Sequence, residues 1–130
     1  MSAILADSSV WIEFFRRSDS EPSQEFKSLL RTKQVCTTGL VIAEILSGTR
    51  NESEYEFIRM SLNAVPRINE PADCWEQVGR TRFLLARKGL KISIPDALLT
   101  VIALSNHKTL FTLDKVFKII AKHLPLKILS

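Results

Sequence analysis

Ala3-Ile4-Leu5-Ala6-Asp7-Ser8-Ser9-Val10-Trp11-Ile12-Glu13-Phe14-Phe15 decides the fold. Ala3 to Ala6 is a short apolar run, and beyond Asp7 and two serines the residues Val10, Trp11, Phe14 and Phe15 recur at helical spacing, so the segment reads strand, turn, helix. The alternation continues outward. Glu21 to Leu30 predicts an amphipathic helix, Gln34 to Thr37 a strand and Gly39 to Leu46 a buried helix. Glu52 to Leu62 and Trp75 to Ala86 read as helices with a strand, Ala64 to Ile68, between them; Gly89 closes the later helix. Ser93 to Asp96 opens a nearly continuous apolar helix, Ala97 to Leu104. Thr109 to Thr112 is a strand, Lys115 to His123 a helix and Leu126 to Leu129 a terminal strand. Strands alternating with helices of this length predict an α/β fold, three-layered α/β/α, with a mostly parallel sheet of four or five strands.

With 130 residues, 45% hydrophobic and 25% charged, the expectation is one globular domain over residues 1–130. No apolar run approaches the roughly 18 residues needed to span a bilayer, and no basic leader precedes Asp7, so the expected compartment is the cytoplasm. Cys36 and Cys74 stand far apart without a CxxC pair, which suits a reducing environment and excludes a cysteine zinc site. Charge is unevenly placed. Met1 to Gln77 carries eight Lys/Arg against twelve Asp/Glu, whereas Val78 to Ser130 carries ten against two. A basic half of this kind attracts polyanions, which makes nucleic acid a candidate partner, although a solvated basic face explains the charge equally well.

The two acids in the basic half, Asp96 and Asp114, lie beside apolar segments, as does Asp7. In open α/β sheets ligands bind beyond the carboxyl ends of the strands, where Asp7 and Asp114 are expected. Each acid has a plain structural reading as a helix cap, and Ser93-Ile94-Pro95-Asp96 is close to a capping box. Glu44 resists that reading. It sits within Leu40-Val41-Ile42-Ala43-Glu44-Ile45-Leu46, a helix with no evident solvent face and no Lys or Arg three or four positions away, so at least partial burial of its carboxylate is expected. A buried carboxylate must be protonated, paired or bound to a cation. Four converging acids would make an oxygen-lined cluster suited to Mg²⁺ or Mn²⁺, which lowers the pKa of bound water and tolerates a scissile phosphate.

Four segments carry a family resemblance: Asp7-Ser8-Ser9-Val10-Trp11-Ile12, Glu44-Ile45-Leu46-Ser47-Gly48, Pro95-Asp96-Ala97-Leu98 and Thr112-Leu113-Asp114-Lys115-Val116-Phe117. In this order and spacing the chain resembles a PIN domain, specifically a VapC-type toxin of a toxin–antitoxin pair. The resemblance implies a Mg²⁺- or Mn²⁺-dependent endoribonuclease with catalytic and metal-binding acids at Asp7, Glu44, Asp96 and Asp114. It also implies a homodimer and a cognate VapB-type antitoxin covering the site in a heterotetramer or larger assembly. The chain departs from the family at Val116, where another acid is frequent, which weakens a second metal site, and mildly at Ser8, where Thr is more usual.

By role, Asp7 and Asp96 are the candidates for direct or water-mediated ligands, Glu44 and Asp114 complete the cage, and Ser9 and Thr112 are supporting hydroxyls. Arg82, Arg87, Lys88 and Lys91 are candidate RNA contacts, each with an equally good reading as a solvated cation. Trp11, Phe14 and Phe15 have the spacing of anchors in an antitoxin groove, against a core-packing reading. His107 and His123 are too sparse for paired-histidine chemistry. Two rivals stand beside the nuclease: a phosphatase with Asp7 as nucleophile, which lacks the companion acid because Ser9 occupies its place, and a non-catalytic PIN-like module that binds RNA or protein.

Overall fold

A computed structural model describes residues 2–129. Its centre is β1 (Ile4–Ala6), flanked by β2 (Val35–Cys36) and β3 (Thr109–Phe111) in the order β2-β1-β3, all parallel. Ile4 pairs with Val35 and Thr109, and Leu5 with Cys36 and Leu110. Successive strand residues face opposite sides of a sheet. All three residues of β1 are buried, so both faces of the sheet are covered.

The helices supply that cover. α1 (Ser8–Arg16) and α2 (Glu21–Arg31) follow β1; α3 (Gly39–Ser47), α4 (Glu52–Asn63), α5 (Cys74–Arg87) and α6 (Ile94–Ser105) lie between β2 and β3; and α7 (Val116–Ile120) follows β3. Ser20, Thr38, Asn51 and Ser93 cap α2, α3, α4 and α6 by accepting backbone N–H bonds. α2, α5 and α6 each end in a Schellman turn, with Lys33 (φ 56°), Gly89 (φ 83°) and His107 (φ 55°) left-handed. Among the described residues no helix is long and apolar enough to cross a membrane.

The sheet has three strands where four or five are expected. Both missing strands survive as single parallel bridges at the edges, Thr37 with Arg67 and Leu110 with Ile128. At the first, Pro66 has no N–H for another rung, and the exit turn of α4 takes the start of the expected strand, with Ala64 N and Val65 N bonded back to Ser61 O and Leu62 O. At the second, the rung below would fall on Lys108, whose N–H already closes α6 on Ala103 O.

An aromatic cluster packs α1 against its neighbours. The Trp11 ring lies 4.7 Å from Phe26 and 5.9 Å from Phe15, and Phe26 reaches Phe111 on β3. Trp11 is 1% exposed and packs in the core, with Phe14 beside it at the wall of one cavity; Phe14 and Phe15 are half-buried.

Candidate active site

Asp7 is the residue immediately after β1. Its φ of −82° and ψ of 175° end the strand, and Oδ1 accepts from Ser9 N at 3.0 Å and, at a longer 3.4 Å, from Val10 N, starting α1. The capping reading therefore holds, but the side chain has further partners. The Ser9 hydroxyl also donates to Oδ1, and the Thr112 hydroxyl donates to Oδ2 at 2.5 Å. Each hydroxyl in turn accepts a backbone N–H from the turn after β3: Ser9 Oγ from Leu113 and Thr112 Oγ1 from Asp114, both at 3.0 Å. Two side-chain hydroxyls thus tie the first acid to the backbone that carries the last one. Oδ1 is crowded by donors, whereas Oδ2 has one and keeps a lone pair available.

Asp96 is placed by α6. Ser93 caps the helix, Asp96 N donates to its hydroxyl at 3.2 Å, and the carboxyl lands in the first turn, half-buried, where the helix N-terminus favours negative charge. Asp114 is exposed at the β3–α7 turn and accepts from Val116 N at 3.0 Å. The Glu44 carboxyl is partly shielded, as expected, but the expectation of a helix without a solvent face fails. α3 buries only Val41 and Ile45; Ala43, Glu44, Ser47 and Gly48 form an exposed strip, so the helix does have an open face and Glu44 lies on it.

Electrostatics connect the four. Burial raises the pKa of Asp7 above the usual carboxylate range, partly offset by the bonds from Ser9 and Thr112. Glu44 is raised first by partial burial and further by the charges of Asp7 and Asp96, while the Ser8 hydroxyl facing it acts in the opposite direction. Asp96 is raised by partial burial and by Asp114, with the Ser93 hydroxyl opposing. Glu44 thus feels Asp7 and Asp96, and Asp96 feels Asp114, and none of the four has a Lys or Arg partner; the only ion pairs among the described residues are Arg50–Glu54 and Arg59–Glu56.

An all-oxygen donor set with mutual repulsion and no internal cation suits a hard divalent ion. Direct ligation has a limit, however: among the described residues no three Asp, Glu, His or Cys side chains are close enough together to hold an ion jointly. That excludes a tight all-protein cage and fits an ion that keeps most of its water and touches one or two carboxylates, as Mg²⁺ commonly does.

The expected RNA contacts gather on the α5–α6 side. Arg82 and Lys91 line one cavity with Gly79, Phe83, Ala86 and Ile92. Arg82 also braces the fold, since Nε donates to Ile92 O at 2.9 Å, and Arg87 lies 5.4 Å from the Phe83 ring centroid. Lys88 and Lys91 are exposed. Phe15, with Ile12, Arg16, Ile45, Arg50 and Phe57, lines a separate cavity of about 160 Å³ between α1, α3 and α4. Sequence reasoning missed the approach of Ser8 to Glu44, which needs α1 and α3 to pack together and leaves no mark in either segment.

This arrangement defines the class: a parallel α/β protein with an unneutralised row of carboxylates at the carboxyl edge of its sheet. Residues 4–123 match the PIN domain model, and the chain belongs to the PIN domain family. It is 26% identical over 123 residues to Ribonuclease VapC11 of Mycobacterium tuberculosis, covering 92% of each chain. In structure it is similar to the DNA-bound VapBC of Salmonella typhimurium (TM-score 0.78, 17% identity, 99% of this chain and 98% of that one). It is also similar to VapBC2 from Rickettsia felis bound to a promoter DNA fragment (TM-score 0.77, 20% identity, 98% and 96%).

Proposed function

We propose that this chain is a divalent-metal-dependent endoribonuclease, the toxin of a toxin–antitoxin pair. The observation that carries the reading is the row Asp7, Glu44, Asp96 and Asp114, in which the charges of Asp7 and Asp96 act on Glu44 and that of Asp114 on Asp96, without a cation partner. Its agreement with a relative named as a VapC ribonuclease supports the activity. Mg²⁺ or Mn²⁺ at Asp7 and Asp96 would supply positive charge for a phosphate and lower the proton affinity of water.

The chain's own residues do the rest. Ser9 and Thr112 fix both oxygens of Asp7, so that one remaining lone pair of Oδ2 points in a set direction. Ser93 and the first turn of α6 fix Asp96. Glu44 and Asp114 border the site from exposed positions, suited to orient water in line with the scissile phosphorus and to take its proton, with departure of the 3′ oxygen leaving a 5′ phosphate. No side chain is needed as a nucleophile.

Partner proposals follow the VapBC assemblies that this chain resembles in fold. The cavity between α1, α3 and α4 takes an apolar anchor of a VapB-type antitoxin helix, with Phe15 and the 64% exposed Phe57 as its aromatic walls; their ring centroids are 6.4 Å apart. A homodimer completes the assembly.

The test is cleavage of total cellular RNA by the purified chain with Mg²⁺ or Mn²⁺. Cleavage is expected to vanish with chelator and in Asp7→Asn and Asp96→Asn proteins of unchanged circular dichroism. The spacing of the acids, too wide for three direct ligands, keeps one second reading in play, a PIN-like module that binds RNA without cutting it. RNA retained but never cut, with or without metal, would establish that reading instead.

A further inference from the structure

Arg67 lies outside every segment that carries the acid row, one strand position beyond β2 at the edge of the sheet. Its backbone forms the single bridge to Thr37, where Thr37 N donates to Pro66 O at 2.9 Å and Ile68 N to Thr37 O at 2.8 Å. Continuing the register of β1 and β2 places Thr37 beside Ala6 and Thr38 beside Asp7. Strands in a sheet lie about 4.8 Å apart, so the Arg67 backbone is two strands, roughly 10 Å, from the end of β1.

The side chain reaches forward, toward the edge where the acids are. A Cβ built on Gly39, the first residue of α3, would stand 3.1 Å from Arg67 Nη2 and 3.8 Å from Cζ. Gly39 therefore leaves the space that the guanidinium occupies, and a larger residue would displace it. Among the described residues this guanidinium has neither an ion-pair nor a hydrogen-bond partner, unlike Arg50 and Arg59, which are engaged by Glu54 and Glu56. Nor is it among the charges that act on Asp7, Glu44 or Asp96. It is an exposed positive group without a partner among the described residues, lying over the first residue of α3.

We infer that Arg67, whose guanidinium lies over Gly39, binds a backbone phosphate of a single RNA strand that crosses the carboxyl edge of the sheet past the end of β1. The inference rests on the endoribonuclease reading and adds a substrate subsite to it. An Arg fork suits phosphate oxygens, and the acid row requires that flanking phosphates be gripped by cations outside it.

The experiment is fluorescence anisotropy of a labelled, mixed-sequence single-stranded oligoribonucleotide with the full chain in chelator, across a salt series. Each phosphate contact on a single strand contributes about 0.7 to the slope of log K against log salt. Arg67→Gln is expected to weaken binding at every salt concentration and to lower the slope by about 0.7. Gly39→Ala, which moves the guanidinium and keeps its charge, is expected to weaken binding in the same direction by less. Arg59→Gln, removing a charge already engaged by Glu56, is expected to leave the slope at the wild-type value. A wild-type slope in Arg67→Gln overturns the subsite and leaves the ribonuclease reading intact; no RNA binding by the wild-type chain overturns both.

Discussion

α3 and α6 are two apolar helices of similar composition, and each delivers one acid to the site, yet they do so from opposite situations. α6 buries every residue from Ala97 to Ala103, so its carboxylate stands in the first turn, at Asp96, before burial begins. α3 buries only Val41 and Ile45 and carries Glu44 in its middle, on the exposed strip. An apolar run in a sequence states how much a helix can bury, whereas the packing of its neighbours decides how much it does. One acid is set in a rigid frame; the other stands on a helix that is open on one side.

The largest effect should separate the two acids. Asp96→Asn is expected to lower cleavage well beyond the roughly 10–100-fold that loss of an outer hydrogen-bond partner costs a metal site, and Glu44→Gln by less; single-turnover rates at saturating Mn²⁺ measure both. Equal losses would erase the distinction. Next in size is core stability. Ile102→Ala on α6, where the side chain is fully buried, is expected to cost about 2–5 kcal/mol by urea unfolding, and Ile42→Ala on α3, half-buried, less than half of that. Ser8→Ala should lower cleavage by no more than about tenfold and raise the metal concentration needed for half-maximal rate, because its hydroxyl acts only through Glu44.

The smallest effect is on pH-dependent stability. Asp7, Glu44 and Asp96 have raised pKa values in the folded chain, so between the ordinary carboxylate range and those raised values the folded state holds protons that the unfolded state has lost. Stability of the metal-free protein should therefore be greatest at low pH on this account and fall as pH rises through the folded-state values. Glu44→Gln should melt with the wild type near pH 4 and slightly above it near pH 7 without metal. Added Mn²⁺ should reverse that order by stabilising the wild type more. Thermal scans at both pH values, with and without the ion, test the sign.

Much of this was legible in the sequence because it is local. Asp7 after an apolar run, Ser93 three residues before Asp96, and Thr112 two before Asp114 are short-range patterns whose chemistry follows from backbone geometry. Thr112 is legible as a supporting hydroxyl of the site, but its bond to Asp7, 105 residues away, is not. What stayed hidden depends on tertiary packing. The exposure of Glu44 is set by how little of α3 its neighbours cover. The fourth and fifth strands shrank to single bridges because Pro66 lacks a donor at one edge and Lys108 was already committed to closing α6 at the other. Arg67 gave no signal, being a lone cation in the acidic half of the chain.

The pair of hydroxyls between Asp7 and the turn after β3 joins positions more than a hundred residues apart. A ribosome that has yet to make Thr112 and Asp114 has therefore made a chain whose Asp7 carboxylate lacks half its frame. That frame closes only when β3 pairs with β1, so the geometry of one carboxylate reports whether the parallel sheet has assembled.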